Sequence, residues 1–308
     1  MSVAEQTKTA LDESRTLMLG AQILLGFQFQ TPFQNAFETL TAYEKAASMA
    51  ALCLMVLVVG LLIAPSARHR IVEDGEATPG INRFITRVAF ATLLPFAAAL
   101  ALALSIAGYR IAGAGGALVF ACGGFIIAVG LWYGPYLVRE RSGGSEMKEA
   151  GEKTPIAEKI DYVLTEARVV LPGAQALLGF QLVIVLTSAF ADMPPLLKSV
   201  HGVAIACVTL ATVLLMTPAA YHRIVYDGAS DPRFHRLASR ILLAATVFLA
   251  LGLAADIRVV ADRITGSAGV ATVLAAVSFV VLVALWHVWP WAAQLARRNA
   301  IKTSGLVL

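Results

Sequence analysis

Four glutamine side chains stand inside long apolar runs, where an amide group must find hydrogen-bond partners. Residues 20–28 read GAQILLGFQ and residues 173–181 read GAQALLGFQ, so the same pair of glutamines occurs twice. An amide that is buried in hydrocarbon without a partner costs roughly 2–7 kcal/mol. Two roles fit such residues: a polar lining for a path across a membrane, or hydrogen bonds that join neighbouring helices.

The first copy continues into a polar stretch that the second copy lacks. Residues 28–35 read QFQTPFQN, whereas residues 181–188 read QLVIVLTS. Pro32 removes a helix hydrogen bond, and a broken, polar helix at membrane depth usually lines a cavity or is buried in protein. The alternative is a span that simply ends at the interface near Pro32. We predict a polar path lined by Gln22, Gln28, Gln30, Gln34, Asn35, Gln175 and Gln181.

A second repeated motif, H-R-I-V-x-D-G, combines an imidazole, a guanidinium and a carboxylate at the end of an apolar run. It begins at His69 and again at His222. Histidine changes charge near neutral pH, which suits proton handling at a membrane mouth. The alternative is a tight loop in which arginine binds lipid phosphate and aspartate caps a turn.

An L-x-E-x-R pattern precedes each glutamine-containing run, with its acidic residue at Glu13 and at Glu166. Glu and Arg that are two residues apart point in different directions on a helix, so each needs a partner on another segment. We predict an inner-face ion network in each half of the chain. Its candidate members are Glu13, Arg15, His69, Arg70, Asp74 and Arg87 in the first half, and Glu166, Arg168, His222, Arg223, Asp227 and Arg240 in the second.

Other chemistry has little support in the sequence. There is no HExxH motif, no nucleophile–base pair and no cluster of metal ligands, so we predict no enzyme activity, no catalytic residue, no metal and no cofactor. Acidic residues inside spans mark ion pathways, and only Asp256 approaches that position. With Arg258 and Asp262 beside it, we expect Asp256 in a cluster at the outer interface.

The composition requires a membrane environment for these residues. Apolar residues make up 58% of the chain and charged residues 14%, with a mean hydropathy of +0.75. About 20 helical residues cross the hydrocarbon core, and helix is required because an open strand would leave backbone groups unpaired in lipid. We predict an all-α membrane protein with eight transmembrane helices, arranged as two parallel-repeat four-helix bundles. The predicted spans are 17–37, 45–64, 88–108, 114–137, 169–190, 199–218, 241–260 and 268–291.

The repeated motifs are separated by a constant offset of 153 residues, which also relates APSARHRIVEDG at 64–75 to TPAAYHRIVYDG at 217–228. A constant offset over this length indicates a tandem duplication. An even number of spans in each half makes the two halves point the same way. The predicted domains are four-span repeat A at 1–139, a polar cytoplasmic linker at 140–165, and four-span repeat B at 166–308.

The distribution of basic residues predicts the orientation. Of the 24 Lys and Arg residues, 19 lie on the side that holds both termini, which the positive-inside rule assigns to the cytoplasm. We expect a bacterial inner-membrane protein, whose partners are the bilayer and could include anionic lipid headgroups at the cytoplasmic face and a second copy of the chain, but no nucleic acid. All the tryptophans are expected in an interfacial belt at this face: Trp132, Trp286, Trp289 and Trp291.

On these motifs, each half resembles a family of small four-span bacterial membrane proteins, a domain of unknown function, some members of which are labelled sodium:proton antiporters. The family unit is usually single, so the chain resembles a tandem fusion of two. The resemblance covers nearly the whole chain outside the linker. It rests on Leu11, Glu13, Arg15, residues 20–28, Pro65, His69 and Arg70, and on Leu164, Glu166, Arg168, residues 173–181, Pro218, His222 and Arg223.

Two functions fit the sequence. The polar first span favours a secondary transporter or ion-permeation protein, and the resemblance implies cation/proton exchange. The alternative is a non-transporting membrane scaffold or partner subunit, in which the glutamines only join helices. The scarcity of acidic residues inside the spans argues against a vigorous ion pump.

Overall fold

A computed structural model describes residues 3–139, 154–226 and 230–304, with side chains described for 17–133, 154–226 and 230–299. All regular structure in these ranges is helical. Two short 3₁₀ turns, Thr31–Phe33 and Asn35–Thr39, follow the first helix, and a π-helical turn, Ala284–Val288, precedes the last. The helices are α1 Val3–Gln30, α2 Ala42–Ile71, α3 Pro79–Arg139, α4 Ile156–Val185, α5 Ser188–Ala191, α6 Pro195–Ile224, α7 Pro232–Thr265, α8 Ala268–Val283 and α9 Trp289–Ser304.

Six helical elements among the described residues are long and apolar enough to cross a membrane. They are α2, α3, α4, α6, α7 and the continuous run from α8 into α9. Side chains of α1 are described only from Leu17 onward, which leaves too short a stretch for the same assessment. The chain is therefore a multi-pass, all-helical membrane protein across the ranges described.

Helix α3 is two antiparallel arms joined by a sharp bend. A straight helix of 61 residues would be about 90 Å long, about three times the hydrocarbon thickness. The backbone leaves the helical region at Ala112 (φ −142°, ψ 24°) and at Gly113, whose φ of 64° favours glycine. Across the bend, the rings of Phe96 and Trp132 stack at 5.6 Å. The bend lies between the predicted third and fourth spans.

The duplication is preserved in the helix boundaries. Each of the first three helices begins 153 residues before its counterpart: residue 3 against 156, 42 against 195, and 79 against 232. The first helices of the two halves, α1 and α4, pack directly against each other. The rings of Phe27 and Phe180 are 4.9 Å apart, and a Cβ atom on Gly173 would overlap the side chain of Gln22. One buried core therefore runs through both halves.

The two ends of the bundle differ in charge. We call the end where α2 finishes with Arg68, His69 and Arg70 the basic end. Contacts of Arg70 with Glu166 and Ser239 place the early turns of α4 and α7 at the same end. At the opposite end, α1 finishes and α2 begins in a capping box. There the backbone N–H of Thr41 donates to the Glu44 carboxylate at 2.8 Å, and the Glu44 N–H donates to the Thr41 hydroxyl.

The expectation of a tryptophan belt is wrong for one of its members. Trp286 is fully buried, and its indole N–H donates to the Gly60 carbonyl at 2.7 Å. Trp289 and Trp291 are exposed, as a headgroup-level position requires. The cause is the π-helical turn that contains Trp286, which lies against α2 rather than on the outer surface.

Candidate functional site

A buried carboxylate in the second half lies close to an imidazole and an amide. Asp256 on α7 is 2% exposed. Its Oδ2 accepts a hydrogen bond from Gln181 Nε2 at 2.6 Å, and its Oδ1 lies 3.6 Å from His201 Nδ1. Gln181 is on α4 and His201 is near the start of α6, so three helices meet here. We call these three residues the Asp256 cluster.

The hydrogen bonds of the Asp256 cluster determine which histidine nitrogen carries a proton. His201 Nε2 lies 3.1 Å from the backbone carbonyl of Gln181, which can only accept, so Nε2 is the donor. The other nitrogen, Nδ1, faces the Asp256 carboxyl group. One proton can therefore reside either on Asp256 Oδ1 or on His201 Nδ1, giving a neutral pair or an ion pair.

This position of Asp256 corrects the expectation of an outer-interface cluster. Helix α7 continues for about two further turns beyond Asp256 and ends at Thr265, so the carboxylate is not at a helix end. Arg258 and Asp262 do pair with each other, at 2.9 Å, but separately from it. Our sequence reasoning missed His201. The depth of His201 in the membrane could have indicated it. Consecutive spans at 199–218 and 241–260 are antiparallel, so residues 201 and 256 lie at the same depth.

The Asp256 cluster has no counterpart in the first half. The 153-residue offset relates Gln181 to Gln28, but it relates His201 to Ser48 and Asp256 to Ala103. The duplicated glutamine therefore meets an acid and an imidazole only in the second copy. The chemical asymmetry between the halves lies here, in addition to the polar stretch that follows Gln28.

The predicted polar path is not brought together as one lining. Gln22 and Gln28 are buried, Gln30 is half-buried, and Gln175 is exposed on the surface of α4. Two 3₁₀ turns contain the residues around Pro32, and Gln34, which lies between the turns, is exposed, as is Asn35. Asn35 Oδ1 accepts from the Ser188 hydroxyl at 3.4 Å. Of the predicted set, only Gln181 joins a buried ionisable cluster within the described residues.

A second buried cluster lies at the basic end and joins the two halves. The carboxylate of Glu166, on α4, is fully buried. Its Oε1 accepts from His69 Nδ1 at 2.7 Å, and its Oε2 lies 2.6 Å from Arg70 Nε, both residues being on α2. Arg70 Nη1 also donates to the Ser239 hydroxyl at 2.9 Å. We call these four residues the Glu166 cluster.

The Glu166 cluster differs from the predicted networks because it crosses between halves. We expected a network within each half, but Glu166 of the second half pairs with His69 and Arg70 of the first. The reason is the direct packing of α1 against α4, which brings the start of α4 beside the end of α2. The imidazole ring of His69 packs edge-on against the ring of Tyr162, with the two ring centroids 5.5 Å apart.

The other predicted network residues lie apart from this cluster. Asp74 is exposed with a positive φ of 50°, and the ring of His222 packs against Phe234 at 4.6 Å. Asp227 and the side chains of Glu13 and Arg15 fall outside the described parts of the chain. The remaining arginines are exposed: Arg87, Arg168, Arg223 and Arg240.

The loop that follows α2 is anchored to the start of α4. Glu76 Oε1 pairs with Lys159 Nζ at 2.7 Å, and its Oε2 accepts from the backbone N–H of Thr154 at 2.9 Å. Partial burial disfavours the charged carboxylate, but the Lys159 and Thr154 hydrogen bonds outweigh it and lower the pKa of Glu76. On the far side of the loop, Arg297 pairs with Glu73 at 2.7 Å.

The interior around Gln22 is tightly packed. Gln22 Oε1 is buried without a hydrogen-bond partner among the described residues. It lies beside a cavity of about 10 Å³, which is at the lower limit for one water molecule. Leucines form much of the remaining wall: Leu25, Leu177, Leu249 and Leu253. A cavity of this size leaves no room for a solute larger than a water molecule.

The described residues contain no group of three His, Cys, Asp or Glu side chains that could hold a metal ion. In the Asp256 cluster, the 3.6 Å distance between the carboxyl group and the imidazole would allow a proton to pass between them. Gln181 Oε1 is also buried without a hydrogen-bond partner among the described residues. This leaves one uncommitted amide oxygen beside the carboxylate.

The comparisons with known proteins place the repeat in a family without an assigned activity. A family model described as "Family of unknown function (DUF6328)" matches the chain twice, over residues 4–135 and over residues 153–290. No curated protein and no solved structure matches the chain. The double match confirms that a domain of unknown function is duplicated in tandem.

Proposed function

The chain belongs to the family of unknown function DUF6328, and from its buried ionisable groups we propose that it is a proton-coupled secondary transporter. The observation that supports the proposal is the Asp256 cluster, in which a carboxyl group and an imidazole lie 3.6 Å apart inside an apolar bundle. Ionisable side chains within membrane helices are costly, and they mark proton or ion pathways.

The proposed topology has eight spans in the bacterial inner membrane. Six apolar elements are long enough to span, the bend at Ala112 and Gly113 divides α3 into two, and α1 carries the same motif as the spanning α4. The excess of Lys and Arg on the side that holds both termini supports placing that side in the cytoplasm. Each repeat then contributes four parallel-related spans.

The proposed chemistry is competition between a proton and a cation for Asp256. When the cluster loses its shared proton, it carries one net negative charge in a low-dielectric interior. A small monovalent cation would restore neutrality, with the Asp256 carboxylate and Gln181 Oε1 as oxygen ligands. His201 would accept the proton at Nδ1 and pass it toward the opposite end, where α6 begins. This reaction class is cation/proton exchange.

The tight packing around Gln22 fits one step of an alternating-access cycle. In this proposal, a solute that moves between the Asp256 cluster and the basic end would have to pass the leucine side chains around Gln22, which would require movement of one half against the other. The contact between α1 and α4 is where such a movement would take place. The two helices pack closely there, because Gly173 lies against Gln22 and Gly26 lies against Phe180.

The proposal is tested by proton flux in proteoliposomes that contain a pH-sensitive dye. On imposed Na⁺, K⁺ or Li⁺ gradients, the wild-type protein should move protons, and Asp256→Asn should reduce the flux to that of protein-free liposomes. Gln28→Leu is the matched control, because Gln28 is the counterpart of Gln181 in the half that lacks the acid and the imidazole. Absence of wild-type flux under all three gradients, in folded protein, would rule out exchange of these cations.

The second candidate is a non-transporting scaffold or partner subunit. The observation that favours it is the Glu166 cluster, which fastens the halves together through a fully buried carboxylate. In this case the Asp256 cluster serves only to join α4, α6 and α7, as interhelical hydrogen bonds do. Folded wild-type protein without flux, combined with a lower unfolding temperature of Asp256→Asn, would support the scaffold.

A further inference from the structure

A cleft of about 470 Å³ opens at the basic end, between α2, α7 and the start of α9. Its volume falls within the range of small-molecule sites, which are mostly apolar with a few convergent polar groups. The polar residues in its wall are Arg70, His287 and Gln294, and the apolar ones include Leu243, Val288 and Trp291. Neither of the two polar clusters accounts for this cleft, although the Glu166 cluster shares Arg70 with it.

Arg70 has donors that the Glu166 cluster leaves unused. Its Nε pairs with Glu166, and its Nη1 donates to Ser239. The second terminal nitrogen, Nη2, makes no hydrogen bond with any residue that the structure describes. The Arg70 side chain is 2% exposed and is one of the residues that line the cleft. A guanidinium held in place by two partners at the wall of a cleft is suited to bind a phosphate oxygen.

His287 offers a hydrogen-bond acceptor to the cleft, whereas Arg70 offers only donors. Its Nε2 lies 3.2 Å from the Thr246 hydroxyl, and that hydroxyl already donates to the Leu243 carbonyl at 2.8 Å. Nε2 is therefore the donor toward Thr246, and in the neutral ring Nδ1 is an acceptor. A ligand that places a phosphate on Arg70 and a hydroxyl group near His287 would satisfy both residues.

The π-helical turn produces this arrangement in the second half. Within Ala284–Val288, Trp286 is buried against Gly60 while His287 lines the cleft. Single π turns in α-helices occur frequently at functional sites. The offset of 153 residues relates His287 to Gly134 and Gln294 to Arg141, so the first half lacks the same polar wall.

The apolar side of the cleft faces outward. Val288 is 55% exposed and Trp291 is 59% exposed, and Trp side chains favour the headgroup level of a bilayer. A ligand that enters here lies against lipid-facing helices with its polar part next to Arg70. We propose that the cleft binds one phospholipid with an anionic, hydroxyl-bearing headgroup, its phosphate on Arg70 and its acyl chains along Leu243 and Val288.

Lipid retention tests this site independently of transport. The full chain is reconstituted in vesicles of equal phosphatidylglycerol and phosphatidylcholine, extracted in mild detergent, and weighed intact by native mass spectrometry. We expect one phosphatidylglycerol to be retained in preference to phosphatidylcholine. Val288→Trp fills the cleft and should lower its retention about tenfold, the effect of losing a charge-assisted hydrogen bond.

Val280→Trp is the matched control, because Val280 is an exposed valine on α8. Equal retention of the two lipids by the wild type, or equal loss from both variants, would overturn the proposal. Displacement of the bound lipid by free glycerol phosphate would also overturn it, and would assign the cleft to a soluble phosphate ester. Because the readout is lipid mass, failure of the flux experiment does not affect the result.

Discussion

At the scale of single residues, Glu166 is the carboxylate with the most consequential surroundings. It is fully buried and belongs to one half of the chain, while its partners His69 and Arg70 belong to the other. Removing one member of a buried ion pair leaves an uncompensated charge, which destabilises a protein by about 3–5 kcal/mol. Because its members come from both repeats, the Glu166 cluster also joins the two repeats to each other.

Glu166→Gln should therefore lower the free energy of unfolding by about 3–5 kcal/mol. The reason is that Arg70 would remain buried without its carboxylate partner. The measurement is denaturant or thermal unfolding in detergent, with Glu158→Gln on the same helix as the matched control, because Glu158 is partly exposed. In a double-mutant cycle with Arg70→Gln, strictly additive losses would show that the pair does not interact.

At the scale of elements, the bend in α3 depends on glycine. Where the two arms meet, a Cβ atom on Gly108 would overlap the backbone of Gly116, and a Cβ on Gly116 would overlap the backbone of Gly108. The two backbones can approach this closely only because neither residue has a side chain. The turn residue Gly113 supplies the positive φ that reverses the chain.

Gly116→Leu should force the arms of α3 apart and lower stability by about 1–3 kcal/mol or more, the usual cost of overpacking. Gly115→Leu is the matched control, because a Cβ atom on Gly115 meets nothing within 4 Å. Thermal unfolding of the two variants in the same detergent compares them directly. Equal unfolding temperatures would contradict the close approach of the arms.

At the scale of the whole molecule, the two repeats share one core and are not independent bundles. The residues that connect them come from both halves: Phe27 against Phe180, Gln22 against Gly173, and the Glu166 cluster. A tandem fusion joined in this way should behave as one folding unit. The polar linker is then needed to bring the halves together, but not to hold them.

A protease site inserted between residues 140 and 153 tests this view. After cleavage of the full chain in detergent, we expect both fragments to elute together in size-exclusion chromatography, because α1 and α4 keep their interface. The Glu166→Gln variant should release its fragments at a lower temperature than the wild type. Separation of the wild-type fragments immediately after cleavage would show that the linker, and not the shared core, holds the halves.

The sequence by itself determined the properties that depend on local composition and on repetition. Hydropathy over about 20 residues identifies an apolar helix without knowledge of its neighbours, and the constant offset of 153 residues reveals the duplication. The break between residues 108 and 114 was also predictable, and the bend at Ala112 and Gly113 falls there. From these properties one can predict the helical class, the positions of most helices and the duplication that the double family match reflects.

Only the tertiary structure decided which polar groups meet. Whether Asp256 lies at the surface or against His201 depends on the rotation of α7 relative to α6, which hydropathy does not encode. Glu166 meets His69 across the halves because α1 packs on α4, a contact between residues far apart in sequence. Buried polar pairing is set by the relative placement of helices, and the sequence of one helix does not contain that placement.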